Sequence, residues 1–294
     1  MFDLPGKNLP PYLTKEALAQ FMGSAFSEDV GEGDHSSQGA IPSDARSAAR
    51  LLVKDNGILA GVDAASMILQ FFDPAVVMTR MKNDGDEVTK GDVAFTVMGL
   101  SQSILSCERL VLNCMQRMSG IATYTHRLSQ LISGTKAKLM DTRKTTPNFR
   151  IMEKWAVLIG GGVNHRYALY DMVMLKDNHI DMAGGIRPAI ENTKRYLTAK
   201  NKLLRIEIET RNLQEVKEAL SVGGVDVIML DNMSVSDMRE AVALIGGKAQ
   251  TEASGGITEA TIKNIAETGV DYISVGALTH SVKSLDLSLK FQAV

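Results

Sequence analysis

Met140-Asp141-Thr142-Arg143-Lys144-Thr145-Thr146-Pro147-Asn148-Phe149-Arg150 is the stretch from which the rest of the chain can be read. It follows a short run, residues 137–140, that can close a strand. It then sets Arg143, Lys144 and Arg150 among Thr142, Thr145 and Thr146. Pro147 lacks a backbone N–H and has a fixed φ, so the segment reads as a loop, not a helix interior or central strand. A loop this basic at a strand end is suited to gripping an anion. The plain alternative for an RKTT string is a solvated turn. The anion reading gains from polar residues recurring at comparable places: His165-Arg166, Lys176-Asp177-Asn178-His179, Glu209 and Asp231.

After Thr135 the chain alternates strand and helix, with strands expected at residues 137–140, 172–175, 203–209, 225–230, 250–253 and 271–275. That rhythm implies a parallel sheet, wound as an open sheet or closed as a barrel. Polar residues stand just past each strand: Asp141 with Arg143-Lys144, Lys176-Asp177, Glu209, Asp231, Ser254-Gly255-Gly256, and Gly276. In a βα barrel these ends share the face where active sites sit. Glu207 and Glu209 are two apart and face one side of their strand, with Ile206 and Ile208 on the other. Glu209, nearer the mouth, is expected to touch ligand, and Glu207 to support it beside a cation. Ser254-Gly255-Gly256-Ile257 and Val275-Gly276-Ala277 lie in the last two units, where barrels often hold a phosphate on backbone N–H groups.

The first part of the chain reads differently. A helix is expected over residues 12–26, starting near Thr14, followed by an acidic glycine loop through residue 37. Gly31 and Gly33 do not extend to a dinucleotide motif. Residues 47–99 are β-rich, with strands at 49–54, 57–60, 76–81 and 93–98 and a helix at 63–72. Asp55-Asn56-Gly57 gives a hairpin signal between the first two strands. A long helix spans residues 103–132, with Leu110, Cys114 and Ile121 on a buried stripe. Arg109, Asn113, Gln116 and Gly120 lie on another face, of a kind usually solvated.

With 294 residues, 45% hydrophobic and 22% charged, the chain can build a large core as one α/β domain or two smaller ones. A net charge of -2 argues against a nucleic-acid partner, so cationic clusters must be local. Cys107 and Cys114 match neither a CxxC nor a zinc spacing and read as reduced thiols of a cytoplasmic protein. The histidines form no HExxH pattern. No apolar run reaches about 18 residues, so no membrane span is expected.

At these residues the sequence closely resembles the quinolinate phosphoribosyltransferase family (nicotinate-nucleotide pyrophosphorylase, decarboxylating). The segments that carry the likeness are residues 28–34, Glu108-Arg109-Leu110 through Ser119-Gly120-Ile121-Ala122-Thr123, residues 141–147 and Gly160-Gly161-Gly162-Val163-Asn164-His165-Arg166. Leu169-Tyr170-Asp171-Met172 to Lys176-Asp177-Asn178-His179, Leu230-Asp231-Asn232, Ser254-Gly255-Gly256-Ile257 and residues 275–280 complete it. The resemblance implies an N-terminal α+β sandwich over residues 1–118 and an open or incomplete α/β barrel over 119–280, the type II phosphoribosyltransferase fold. Residues 281–294 are expected to pack back on the first domain. It implies a homodimer, or a higher oligomer built on it, with shared active sites. It also implies condensation of quinolinate with phosphoribosyl pyrophosphate and Mg²⁺, giving nicotinate mononucleotide, pyrophosphate and CO₂.

Carried over by position, Arg143, His165, Arg166 and Lys176 resemble the quinolinate cage, and Arg109 the residue lent by the neighbouring subunit. Thr142 and Lys144 line the same loop. Glu209 and Asp231 resemble the acids facing the ribose and, directly or indirectly, Mg²⁺. Lys144, Lys176, Glu209 and Asp231 are the expected catalytic residues. Ser254, Gly255, Gly256, Val275, Gly276 and Ala277 resemble the 5′-phosphate cradle. Asn148-Phe149 stands where the family commonly has Gly-Leu, and Asn is the next residue to tolerate a left-handed backbone. Gly223-Gly224 adds a residue between Glu209 and Asp231, and His35-Ser36 departs from a more usual pairing. Competing readings are the related phosphoribosyltransferase-like protein of molybdenum transport, a barrel lyase forming a Schiff base at Lys176, and a non-catalytic phospho-ligand binding protein.

Overall fold

The computed structural model describes residues 2–4 and 9–292. Among them the chain runs α1 (Lys15–Asp29), α2 (His35–Ala40), β1 (Arg46–Val53), β2 (Gly57–Ile58), α3 (Val62–Phe72), β3 (Val77–Arg80), β4 (Glu87–Val88), β5 (Val93–Leu100) and α4 (Ser101–Leu131). It continues with β6 (Lys138–Met140), α5 (Arg150–Ile159), β7 (Val173–Leu175), α6 (Asp177–Ala183), α7 (Ile186–Ala199) and β8 (Ile206–Thr210). Then follow α8 (Leu213–Val222), β9 (Val227–Asp231), α9 (Val235–Ile245), β10 (Gln250–Ser254), α10 (Ile262–Ala266), β11 (Tyr272–Ser274), α11 (Ala277–His280) and β12 (Leu287–Gln292). Two compact units form: Met1–His126 with Thr145–Gly161 and Leu278–Val294, and Arg127–Lys144 with Gly162–Ala277. The division thus falls inside α4, and residues 145–161, read from sequence as part of the barrel, group with the first unit.

In the first unit α1 starts where a hydroxyl can cap it. Thr14 Oγ1 accepts the Ala17 N–H at 3.1 Å, and Leu18, Met22 and Phe26 bury one face at successive turns. The acidic loop closes earlier than its composition indicates, because Asp34 accepts the Ser37 N–H at 3.0 Å and caps α2. The main sheet is antiparallel in the order β12-β1-β5-β3. The expected hairpin at Asp55-Asn56-Gly57 is absent. β2 pairs instead with β4, and the Ile58 N–H donates to Thr123 Oγ1 of α4 at 2.9 Å. A local turn signal is overridden there by contacts distant in sequence.

Helix α4 buries Ile104, Cys107, Val111, Met115, Met118 and Ala122, a stripe with helical spacing. Each large apolar side chain so buried contributes about 1.5–3 kcal/mol before entropy is counted. The opposite face is only partly solvated. Arg109 and Asn113 are exposed, but Gln116 Nε2 donates to the Leu287 carbonyl and the Leu285 N–H to the Gln116 carbonyl, each at 3.0 Å. Gly120 lies against the Lys283 carbonyl, where any Cβ would collide. The polar face of α4 therefore docks the C-terminal segment ending in β12.

The second unit is a parallel sheet in the order β6-β11-β10-β9-β8-β7. Strands β6 and β7 are its edges, so among the described residues the barrel is open between them. Beside β6, Val163 forms a parallel bridge to Met140, and its N–H donates to the Leu139 carbonyl at 2.9 Å. All five residues of β8 are buried. Its Glu207 shares a face with Lys138, Met140, Val227, Glu252 and Tyr272 of the other strands. That face lines a cavity of about 300 Å³. No helix among the described residues is long and apolar enough to cross a membrane.

Candidate active site

Strand pairing brings the expected acids together. Asp231 ends β9 opposite Ser254 at the end of β10, and Glu209 lies opposite Met229 two pairs deeper, on the same face. Glu209 holds its proton above the usual carboxylate range. Burial is the main cause, and the Asp231 and Asp177 carboxylates add to it, offset by Lys176. Glu209, Asp231, Asp177 and Lys176 thus form one electrostatic cluster. The extra glycine before Asp231 is absorbed in the turn after α8, where Gly223 and Gly224 both have positive φ, and strand parity is untouched.

The basic loop is anchored by its first residue. Asp141, fully buried, accepts the His165 backbone N–H at 2.8 Å and Asn164 Nδ2 at 2.6 Å. The Val163 bridge and this carboxylate carry His165-Arg166 to the end of β6. Thr142 Oγ1 accepts the Lys144 N–H at 3.0 Å and turns the chain. Asn148 takes φ 61, the left-handed conformation its glycine-like position calls for. Arg166 is buried and donates to the Met172 carbonyl at 3.2 Å, while its buried Nε has no hydrogen-bond partner. Burial, and then the Arg143 charge, loosen the hold of Arg166 on its proton. Two guanidiniums brought this close, one with an unsatisfied buried N–H, are matched to an anionic ligand. Arg109 belongs to the first unit, exposed on α4.

The glycine loops are less uniform than their sequence implies. Gly255 has φ 97, and a Cβ there would meet the Asn232 side chain. Its glycine therefore accommodates Asn232, whose Nδ2 donates to Asp231 at 2.6 Å. Gly256, at φ 57 with nothing near its Cβ position, is open. The Val275 N–H is already committed to the Met140 carbonyl at 3.0 Å. Gly276 follows, and Ala277 opens a short helical turn. Helix α10 starts only at Ile262, so the 254–257 loop does not run straight into a helix N-terminus.

Two participants, Asn232 and Glu252, were given no role in the sequence. Asn232 steadies Asp231. Glu252 of β10, 1% exposed, and Glu207, 0% exposed, both approach the His165 ring in the cavity. Burial pushes the Glu207 carboxyl up to about 7 and that of Glu252 up to about 8. Glu252 had one signal available, its position two residues before Ser254 on the same strand face.

A family model described as quinolinate phosphoribosyl transferase, N-terminal domain, matches residues 18–119, and its C-terminal counterpart matches residues 121–290. The chain belongs to the quinolinate phosphoribosyl transferase family. Among curated relatives, a chloroplastic nicotinate-nucleotide pyrophosphorylase [carboxylating] of Oryza sativa subsp. japonica is 46% identical over 96% of this chain and 79% of its own. A probable nicotinate-nucleotide pyrophosphorylase [carboxylating] of Bacillus subtilis (strain 168) is 42% identical over 92% of each chain. The crystal structure of NadC from Streptococcus pyogenes, 37% identical, aligns over 98% of this chain and all of its own with a TM-score of 0.88. The family's two-domain α/β architecture is therefore the fold of this chain. Its domain boundary falls at residues 119–121, a few residues before the division within α4.

Proposed function

We propose that this protein transfers the phosphoribosyl group of phosphoribosyl pyrophosphate to quinolinate, releasing pyrophosphate and CO₂ and forming nicotinate mononucleotide. The observation that carries this reading is the separation of charge along one strand-end face. Arg143 and Arg166 approach each other beside the end of β6, and Glu209, Asp231 and Asp177 converge at β8 and β9 with Lys176 among them.

On this reading the cations hold the acceptor's two carboxylates, with Arg109 of a second subunit completing the set around Arg143, His165, Arg166 and Lys176. Thr142 shapes the loop that presents Lys144. Holding the ring nitrogen in line with the sugar carbon removes much of the entropic barrier to bond formation. As pyrophosphate departs, positive charge grows on the ribose, and Glu209 and Asp231 are placed to stabilise it. Ser254, Gly255, Gly256, Val275, Gly276 and Ala277 are assigned to the 5′-phosphate, with Gly256 and Gly276 closest to it and Gly255 and Val275 supporting. Loss of CO₂ leaves an electron pair on the pyridine carbon, which the surrounding cations stabilise until a proton arrives.

The carboxylates of Glu209 and Asp231, mutually repelling and partly desolvated, suit a hard divalent cation. Mg²⁺ held there, directly or through water, would neutralise the departing pyrophosphate. The protein is proposed to act as a homodimer in the cytoplasm, the latter supported by the free thiols Cys107 and Cys114. The test is purified protein with quinolinate, phosphoribosyl pyrophosphate and Mg²⁺, followed by loss of the pyridine dicarboxylate absorbance. Nicotinate in place of quinolinate should give no turnover, and equal turnover with nicotinate would refute the assignment.

A further inference from the structure

The cavity on the inner strand face holds a group of side chains that the proposed reaction leaves without a role. Glu207 of β8 and Glu252 of β10 reach into it across β9. His165 meets them there, with Nε2 at 2.7 Å from Glu207 Oε2 and 3.5 Å from Glu252 Oε2. One ligating atom from each of the three side chains lies within 4.8 Å of the other two. Glu207 Oε1 and both Glu252 oxygens are buried, and the Glu252 carboxyl has the Glu207 carboxyl and Ser274 beside it. Buried carboxyls left in this state are costly, and a chain with an ordinary apolar core would place methionine or valine there. Met140, Val227 and Met172 do line the same cavity.

The geometry of the ring is constrained from two sides. Asp141 fixes the His165 backbone, and the acid pair meets the imidazole at its Nε2 edge. With Glu207 ionised, the 2.7 Å contact is an Nε2–H donating to its carboxylate. Resting on the reading in which His165 meets the acceptor, we propose that Glu252 is a positioning residue: it packs against the Glu207 carboxyl that takes the His165 Nε2–H, and so sets the angle at which the ring meets the pyridine dicarboxylate. Glu252 does this without stranding two charges, since burial pushes its carboxyl up to about 8 and it stays protonated at neutral pH. Its proton then lies beside the Glu207 carboxylate, which Arg166, Arg205 and Lys176 also face.

The test compares Glu252→Gln and Glu252→Leu with wild type. In Glu252→Leu the quinolinate KM should rise about tenfold, while that for phosphoribosyl pyrophosphate stays within about twofold, as for a misoriented acceptor contact. Glu252→Gln, with the same shape and a polar end, should recover most of the loss. Long-range ¹H–¹⁵N correlation, assigned with His165→Asn, should show one Nε2–H form in wild type and a mixture in Glu252→Leu. The NMR arm needs no turnover, so it tests the positioning even if wild type fails to use quinolinate and the functional reading falls. An unchanged ring signal with unchanged KM values would overturn the proposal. So would an equal rise in both KM values, or a stoichiometric metal ion in wild type that Glu252→Gln loses.

Discussion

Asp231 stands directly opposite Ser254 in the parallel pairing of β9 with β10. One ladder rung therefore brings together Asp231, proposed to face the sugar, and the hydroxyl of Ser254 in the proposed phosphate loop. A one-residue slip of either strand would turn its side chain to the opposite face and part the pair. Asn232, at φ 52, secures the rung: its N–H donates to the Ser254 carbonyl at 2.9 Å, and its amide to Asp231.

From this follows the first prediction. Glu209→Gln and Asp231→Asn should each lower kcat by about two orders of magnitude while changing the quinolinate KM only a few-fold, if both acids act where charge develops, as proposed. Steady-state kinetics with each substrate varied in turn separates the two effects. A rise in quinolinate KM alone would place these acids on the acceptor side.

Lys144→Ala and Lys176→Ala remove cations that the proposed function places against a polyanionic ligand. Turnover should fall by about two orders of magnitude or more with the fold intact, equivalent to roughly 3 kcal/mol of transition-state stabilisation. Unchanged circular dichroism together with activity within a few-fold of wild type would remove both residues from the site.

Glu153 is fully buried on α5, where it accepts from Arg117 at 2.9 and 3.0 Å and from Thr146 N–H and Oγ1 at 2.9 Å each. This network ties the second half of the basic loop to α4 within the first unit. Glu153→Ala should cost about 3–5 kcal/mol, since it strands a partly buried guanidinium. Denaturant melts would show it as a lower midpoint at unchanged slope. A loss below about 1 kcal/mol would mean that water replaces the carboxylate.

How stability changes with pH follows from Glu252 and Asp84, with Glu207, raised to about 7, adding to the same decline. Burial raises the Glu252 and Asp84 carboxyls, to about 8 and about 6. An acid raised above its unfolded value stabilises the fold below that unfolded value, and the benefit is lost as pH rises through the folded one. Stability should therefore decline from about pH 4.5 to pH 8, by up to about 1.4 kcal/mol per pH unit and group. Glu252→Gln should flatten the slope above pH 6. A slope as steep as wild type would assign that proton elsewhere.

Much of the second unit was legible because parallel βα repeats place apolar strands and polar strand ends at regular intervals. The parity of Glu207 and Glu209 needed only the period of a strand. What escaped depended on contacts far apart in sequence. The Asp55-Asn56-Gly57 signal lost to Thr123 on α4, and Gln116 and Gly120 looked solvated until the C-terminal segment covered them. Gly255 read as a ligand-facing glycine, and nothing local shows that its missing side chain also makes room for Asn232. Glu252 sits on a strand like any inward residue, and nothing local reveals that a histidine 87 positions earlier meets it.

Arg109 tests the shared site. If each acceptor pocket borrows it from a second subunit, Arg109→Ala and Lys144→Ala dimers should both be inactive, and mixing them should restore activity. Random exchange makes about half the dimers mixed, each with one wild-type site, so recovery should approach about a quarter of wild-type sites. Mixed dimers proven by mass spectrometry but lacking activity would place Arg109 in its own chain's site or in none.

The most direct measurement counts products. With quinolinate carrying a labelled 2-carboxyl group, phosphoribosyl pyrophosphate and Mg²⁺, CO₂ and pyrophosphate should appear in equal amounts and at equal rates, and neither should form when either substrate is left out. Pyrophosphate without CO₂, or CO₂ without phosphoribosyl pyrophosphate, would contradict coupled transfer and decarboxylation at this site.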